Sequence, residues 1–233
     1  NIPVPADFQI GPGDKIKIMY WGNKNTSARK TVTRGGVMNL PQLGPVTVAG
    51  LTMRQARDLI ESKVKDELIG TSVAISLDEL RTITVYVLGE AYSPGSFTVS
   101  ALSTLTNVLF VSGGVSETGS VRNIEIKRGG ETVHVFDLYD LLLRGDTKSD
   151  IRLQDGDIVF IPLISNTARA EGFFRRPHLF EIKEGESIKD LIEFAGGFSS
   201  NVTKDARLEL STINNDTKKE INSKLLLIKI EKL

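Results

Sequence analysis

Histidine and cysteine supply much of the catalytic and metal chemistry of proteins, and this 233-residue chain has two histidines and no cysteine. Thiolate nucleophiles and cysteine-based metal sites are therefore ruled out. His134 and His178 stand 44 residues apart and cannot form the H-E-x-x-H motif of a zinc hydrolase. His134 lies between two valines of a predicted strand, which favours a solvated or hydrogen-bonded imidazole over a general base. The sequence argues against a metalloenzyme and predicts neither metal nor cofactor.

Acidic residues beside glycines are the next candidates for chemistry. Asp155 and Asp157 flank Gly156, but the D-x-D-x-D-G pattern of a calcium loop is absent. Asp14 ends the turn Gly11–Asp14, where its carboxylate would repel a phosphate. No G-x-S-x-G elbow accompanies the serines. We therefore expect these acids to build turns, and we predict no enzyme activity.

Two places are suited to contact a sugar or another protein. Trp21 offers an aromatic face that either stacks on a sugar or anchors the core at a strand end. Arg175, Arg176 and His178 form a basic segment that is suited to an acidic glycan or a neighbouring subunit, or is only an exposed turn. These four residues are our candidates for a glycan or subunit contact.

Composition places the chain among ordinary globular proteins. It is 40% hydrophobic and 25% charged, and 29 Lys+Arg balance 29 Asp+Glu. A net charge of zero provides no field that would draw the chain onto nucleic acid or an anionic membrane. No apolar run exceeds four residues, whereas a membrane-spanning helix needs roughly 20. We therefore predict no nucleic-acid partner and no membrane-spanning segment in these residues.

Alternation of apolar and polar residues predicts strands near the start of the chain. Residues 15–20 alternate as a half-buried strand does. Gly35 and Gly36 predict a hairpin turn, because both glycines can adopt positive φ. Residues 41–45 contain two prolines and a glycine and predict a break in the sheet.

A helix is predicted after this break. Thr52 followed by Gln55 forms a capping-box pattern, and Gly70 provides the stop. Residues 71–77 then alternate as another strand. The apolar residues of the helix recur at three- and four-residue spacing and are Met53, Ala56, Ile60, Val64 and Leu68.

An internal repeat follows, because residues 83–115 align without a gap with residues 166–198 at an offset of 83. Each copy predicts a strand, a glycine-containing turn, a second strand and a short helix with a hydroxyl N-cap. A Gly-Gly pair then supplies the left-handed position that ends the helix. We expect at least one glycine of each pair, Gly113-Gly114 and Gly196-Gly197, to have positive φ.

These patterns predict an α+β protein of three compact domains, residues 1–82, 83–165 and 166–233. The counterpart of Gly156-Asp157 in the second copy would fall at position 239. The second copy is therefore either a shortened module or one that is truncated in the sequence given.

Taken together, the motifs resemble those of the Wza-type outer-membrane polysaccharide exporters of Gram-negative bacteria. Residues 1–82 look like the polysaccharide-export domain of that family, and 83–165 and 166–233 look like two β-grasp modules of the soluble-ligand-binding (SLBB) type. The residues that carry the resemblance, mainly structural in role, are Gly13, Asp14, Gly36, Pro41, Gly44, Gly50, Gly89, Pro94, Gly95, Gly113, Gly114, Gly156 and Asp157.

The resemblance implies an α+β fold with a small β-rich export domain followed by two tandem ubiquitin-like β-grasp modules. It implies the periplasmic part of an outer-membrane exporter whose homo-oligomeric rings stack into a hollow conduit for capsular or exopolysaccharide chains. It also implies an inner-membrane polysaccharide co-polymerase, a chain-length regulator, as partner. Two alternatives remain: a soluble glycan- or small-ligand-binding β-grasp protein that forms no channel, and an adaptor that scaffolds biosynthetic enzymes.

Overall fold

The computed structural model describes residues 8–23, 25–199, 206–214 and 219–228, with side chains as far as residue 199. Strands and short helices alternate along the chain, which confirms the predicted α+β class. Within these residues, no helix is both long enough and apolar enough to cross a membrane.

The chain divides into two compact units. The first contains residues 1–83 and 98–102, and the second contains residues 84–97 and 103–233. We keep the names first module for residues 83–165 and second module for residues 166–233. The division into three domains is finer than these two units and stays a prediction.

The first unit combines small antiparallel sheets with one helix. Its elements are β1 (Lys15–Gly22), β2 (Thr26–Thr31), β3 (Val37–Leu40), β4 (Gly44–Thr47), α1 (Met53–Glu67) and β5 (Thr71–Glu79). The larger sheet has the order β2-β1-β5, and β3 pairs with β4. Ile16 and Ile18 of β1 lie in one buried core with Ile60 and Val64 of α1. Alternation in the strand and three- to four-residue spacing in the helix place these apolar side chains on facing surfaces.

The capping box that opens α1 is confirmed. The Gln55 N–H donates to the Thr52 hydroxyl oxygen at 3.3 Å, and the Thr52 N–H donates to the Gln55 side-chain oxygen at 2.9 Å. Gly70 follows the helix with φ of 72°. The fully buried helix residues are Ala56, Ile60 and Val64.

The predicted hairpin at Gly35-Gly36 is wrong. A turn is present there, and the Gly36 N–H donates to the Thr33 carbonyl at 2.9 Å. However, β2 pairs with β1 whereas β3 pairs with β4. The hairpin lies where a sheet break was predicted, and Pro45 sits within β4 opposite Asn39. Proline is tolerated because a two-stranded sheet consists of edge strands, whose outer N–H positions need no partner.

The second unit contains the two repeat copies. Its elements begin with β6 (Thr82–Gly89), whose first residues belong to the first unit, and β7 (Gly95–Ser100), which extends into it. They continue with α2 (Leu105–Val111), β8 (Ile124–Arg128), β9 (Glu131–Phe136), α3 (Leu138–Arg144), β10 (Ile158–Ile161), β11 (Asn166–Glu171), β12 (His178–Glu181), α4 (Ile188–Phe194), β13 (Ala206–Asn214) and β14 (Lys219–Ile228).

The two modules have related but different sheets. The first has the order β7-β6-β10-β8-β9, with β10 parallel to β6 and antiparallel to β8. The second has the order β12-β11-β13-β14, with β13 antiparallel to β11. Among the described strands of the second module, β13 thus occupies the place beside β11 that β10 occupies beside β6.

The internal repeat is confirmed by backbone hydrogen bonds that recur at the same offset of 83. The Tyr92 N–H donates to the Gly114 carbonyl at 3.0 Å, and the Arg175 N–H donates to the Gly197 carbonyl at 3.0 Å. The predicted helix ends are confirmed as well, because all four glycines follow α2 or α4 in the left-handed region. Their φ values are 83° (Gly113), 89° (Gly114), 75° (Gly196) and 76° (Gly197).

Candidate functional site

Asp14 belongs to a turn that is closed by its own side chain. The carboxylate is fully buried and accepts the Gly11 N–H at 2.8 Å. It also accepts the Arg81 backbone N–H at 2.9 Å and the Arg81 guanidinium at 2.7 Å. These donors satisfy both carboxylate oxygens, so Asp14 holds the turn together and is not exposed to a substrate.

Asp157 repeats this arrangement in the first module. It is fully buried and accepts the Gln154 N–H at 2.7 Å, three residues earlier, as Asp14 does from Gly11. The Arg128 guanidinium donates to both of its oxygens at 2.7 Å. The hydrogen bond to Asp157 raises the pKa of Arg128. Both aspartates are therefore neutralised by an arginine that no sequence pattern linked to them.

The remaining motif residues lie in turns and at strand ends. At Gly89 a Cβ atom would approach the Ile161 carbonyl oxygen to 2.1 Å, so only glycine fits between the parallel strands β6 and β10. Pro94 precedes β7, which Gly95 begins. Gly44 begins β4, and the residues that lie in the turns of the first unit are Gly13, Gly36, Pro41 and Gly50.

Trp21 and His134 are two further candidate residues, and each lies on a strand. Trp21 is near the end of β1, opposite Ser72, and 48% of it is exposed, which leaves its indole free for a contact. His134 stands opposite the buried Ile126, and its Nε2 lies 2.8 Å from the Ser149 carbonyl oxygen. The imidazole is therefore a hydrogen-bonded strand residue. In the part of the chain that the structure describes, no group of three or more His, Asp or Glu side chains could hold a metal.

The sequence-predicted basic segment forms the tip between β11 and β12, which we call the basic tip (Arg175, Arg176 and His178). All three residues are exposed. The Arg176 N–H donates to the Ala195 carbonyl at 2.9 Å, which ties the tip to the end of α4. Neither arginine forms an ion pair with a described residue. The tip therefore presents two free guanidinium groups on an anchored backbone.

A cavity of about 500 Å³ adjoins the basic tip. Arg169 and Glu171 of β11 line the cavity, and the Arg169 Nε lies 3.8 Å from the Glu171 carboxylate in an exposed ion pair that is too long for a hydrogen bond. Pro177, His178 and Leu179 also line it. The cavity thus joins cationic, acidic and apolar surface, and Arg169 is a member of it that sequence reasoning missed.

A buried arginine joins the two modules. Arg122 precedes β8, and 4% of it is exposed. Its guanidinium donates to Asp137 of the first module at 3.0 Å, to Glu186 of the second at 2.7 Å and to the Glu181 carbonyl at 3.1 Å. Lys183 also donates to Asp137, at 2.8 Å. We call these five residues the intermodule clasp.

Aromatic side chains surround the intermodule clasp. The Arg122 Cζ lies 4.7 Å from the centre of the Tyr139 ring and 5.0 Å from that of Phe194. Tyr139 lies on α3, yet it packs against the second-module core that includes Phe180. Its hydroxyl accepts the Glu181 N–H at 2.9 Å, and burial raises its pKa to about 12.

Glu181 is the most deeply buried acid of the clasp. Burial raises the pKa of its carboxyl, although the Ser120 hydroxyl and the N–H groups of Val121 and Arg122 donate to it and partly oppose the rise. Burial also acts to raise the pKa of Asp137, but hydrogen bonds from Arg122 and Lys183 outweigh it and hold that pKa below its usual value. No local sequence pattern marked these pairs, because the partners lie 15 to 64 residues apart.

Family comparisons match the chain in three successive segments. Residues 2–78 match the polysaccharide biosynthesis/export protein family. Residues 84–161 match the SLBB domain, and residues 174–211 match the SLBB domain a second time.

Individual relatives carry names that agree with these families. The polysialic acid transport protein KpsD of Escherichia coli is 33% identical over 180 residues, which cover 76% of this chain and 32% of KpsD. The EPS I polysaccharide export outer membrane protein EpsA of Ralstonia solanacearum is 28% identical over 228 residues, which cover 86% of this chain and 60% of EpsA. The chain thus spans about a third of KpsD and 60% of EpsA. The chain therefore combines a polysaccharide biosynthesis/export domain with two SLBB domains.

Proposed function

We propose that this chain is the periplasmic part of an outer-membrane exporter of capsular polysaccharide or exopolysaccharide. Copies of the full-length protein form stacked rings around a hollow conduit through which the polymer passes. The observation that carries the proposal is the order of the matched segments, an export domain followed by two SLBB domains. The names of the relatives KpsD and EpsA support the polymer as cargo, and that of EpsA supports the outer membrane as location.

The chemistry of the described residues supports transport over catalysis. A polymer that slides along a wall must touch it weakly and repeatedly, because a strong site would stop it. Glycoside cleavage needs two carboxylates about 5 to 9.5 Å apart around one sugar. The buried acids Asp14 and Asp157 are instead each closed off by an arginine. We propose that the chain guides the polymer without changing its covalent bonds.

The proposed ring requires two kinds of binding partner. One is a second copy of the protein, because a ring repeats one head-to-tail contact around an axis. The other is an inner-membrane polysaccharide co-polymerase that regulates chain length and delivers the polymer to the periplasmic entrance. The match to the polysaccharide-export and SLBB domains supports both proposals.

Electron microscopy and native mass spectrometry of the full-length protein in detergent test the assembly. We expect a closed ring with a central lumen. A monomer that binds sugar at a saturable site would contradict the conduit and favour a soluble glycan-binding protein instead.

The cargo is tested in cells. Deletion of the gene should abolish surface polysaccharide and leave polymer inside the envelope, and the wild-type gene should restore export. Normal surface polymer in the deletion strain would contradict the proposal.

A further inference from the structure

The second module presents cations at a position where the first module does not. Tyr92 and Arg175 occupy equivalent places, since each donates its N–H to the second glycine of the following Gly-Gly pair at 3.0 Å. Ser93 and Arg176 are likewise equivalent, at the offset of 83. The same backbone therefore carries neutral side chains in one module and two arginines in the other.

The two arginines of the basic tip are available for a ligand. Several arginines among the described residues have an acidic partner, as Arg81 has Asp14 and Arg128 has Asp157. Arg175 and Arg176 have none, although both backbone N–H groups are anchored. Anchoring lowers the entropy cost of binding, because the loop need not be ordered by the ligand.

The neighbouring cavity adds a surface for the uncharged part of a ligand. Its volume of about 500 Å³ lies in the range of small-molecule sites, and Pro177 and Leu179 supply apolar walls. Arg169 adds a third guanidinium, which lies 3.8 Å from the Glu171 carboxylate of the same cavity in an exposed pair that contributes little and that a ligand carboxylate can replace. Guanidinium groups bind carboxylates through paired N–H donors, and apolar walls suit the C–H face of a sugar ring.

We propose that the basic tip and its cavity bind carboxylate-bearing sugar units of the exported polymer. The inference rests on the proposed export function for the identity of the ligand, and it adds that the polymer is acidic. Contacts by exposed arginines are individually weak, so a chain with repeated carboxylates can bind and move on. A concave cavity suits a sugar chain better than it suits the flat surface of a membrane.

Titration calorimetry with residues 1–233 tests the proposal, using oligogalacturonate as the probe because each of its sugars carries a carboxylate. The comparison ligand is the same oligosaccharide after its carboxylates are reduced to alcohols. We expect weak binding of the acidic form, further weakened by salt, and no binding of the reduced form. Amide shifts in NMR spectra should concentrate at residues 169–179.

The double variant Arg175→Ala/Arg176→Ala should weaken binding about fivefold, since each exposed contact contributes little. Arg175→Lys/Arg176→Lys should recover part of the affinity, because the charge returns without the planar fork. The matched control is Arg54→Ala/Arg57→Ala, which removes the same charge from exposed positions of α1 and should leave affinity unchanged. Unchanged thermal unfolding of each variant verifies that it folds.

Three results would overturn the site. They are equal affinity for the reduced oligosaccharide, unchanged affinity in the tip variant, and equally tight binding to phosphatidylglycerol vesicles that the tip variant abolishes. The export assay in cells separates this inference from the proposed function. Export with no carboxylate binding would reject only the site, whereas carboxylate binding with no role in export would reject only the exporter.

Discussion

A turn in which a glycine precedes a buried aspartate occurs in both compact units. Asp14 follows Gly13 and Asp157 follows Gly156, and both glycines have positive φ, 95° and 85°. In each turn the aspartate accepts the backbone N–H three residues earlier and pairs with a distant arginine. A carboxylate without these partners would be costly to bury, so the arginine is part of the turn.

We expect Asp157→Asn to destabilise the second unit by about 2 kcal/mol, since hydrogen bonds to charged groups are each worth roughly 1.5 to 3 kcal/mol. The amide leaves the partly exposed Arg128 without its ion pair and turns one acceptor into a donor. Urea unfolding followed by circular dichroism measures the loss. Glu117→Gln is the matched control, because Glu117 is exposed and should change stability by less than about 0.5 kcal/mol. Equal stability of the two variants would contradict a structural role for Asp157.

Glu181 should make stability depend on pH in a definite direction. Folding raises its pKa above the ordinary 4.5. Its favourable contribution is therefore full below pH 4.5 and is lost as the pH rises through the folded pKa. In Glu181→Gln this loss should vanish, so the stability of the wild type relative to the variant should fall as the pH is raised from 4.5.

Urea unfolding of both proteins at a series of pH values measures this difference. Asp137, whose pKa is lowered by folding from 3.8, loses its contribution only as the pH falls below that value, so it acts in a separate window. The control Glu184→Gln, at an exposed position, should show the wild-type pH dependence. A difference between wild type and Glu181→Gln that rises with pH would contradict the burial argument.

At the scale of elements, the Gly-Gly pair after α2 offers two substitutions in the same backbone region. Both glycines have positive φ, but only at Gly113 would a Cβ meet a neighbour, the Tyr92 ring, at 2.8 Å. Gly114→Ala should therefore cost about 1 kcal/mol from backbone strain alone. Gly113→Ala should cost more, because the exposed Tyr92 must also move. Thermal unfolding of the two variants measures the order. Equal losses would show that backbone strain alone decides, and a larger loss in Gly114→Ala would contradict the steric argument at Gly113.

The intermodule clasp should couple the unfolding of the two modules. We expect Arg122→Met to cost about 3 kcal/mol, since it leaves the partly buried Asp137 and Glu186 without their shared partner. Methionine retains the packing against Tyr139, so the loss reports mainly the charge network. Urea unfolding should become less cooperative and separate into two transitions.

Arg144→Met serves as the control for the clasp, because its pair with Asp140 is exposed and should contribute less than about 0.5 kcal/mol. A single cooperative transition of wild-type stability in Arg122→Met would contradict the coupling.

At the scale of the whole molecule, the proposed role predicts that polysaccharide leaves the protein unchanged. Incubation with capsular or exopolysaccharide should not alter the polymer length seen by size-exclusion chromatography. The reason is that Asp14 and Asp157 are occupied by arginines and that Glu181 is enclosed by hydrogen-bond donors. Time-dependent shortening that disappears on replacing one acid would favour an enzyme.

The sequence by itself determined the features that depend on neighbours in the chain. The capping box at Thr52 and the ends of α2 and α4 involve residues within five positions of one another. These features are readable because a capping box uses hydrogen bonds between residues three apart, and because the left-handed position that ends a helix favours glycine. The repeat was readable for the same reason, because each copy carries its own turn, helix cap and stop.

Only the tertiary structure decided which distant groups meet. Arg81 reaches Asp14 across 67 positions and Arg122 reaches Glu186 across 64, so no local pattern marks either pair. Strand pairing also decided the structure at Pro45. The prolines of residues 41–45 predict a break in the sheet, but β4 forms a two-stranded sheet with β3, and an edge strand tolerates a proline. The chain contains many arginines and acids that could pair, and the packing of the folded chain selects which of them do. Opposite charges attract strongly only where the folded chain excludes water.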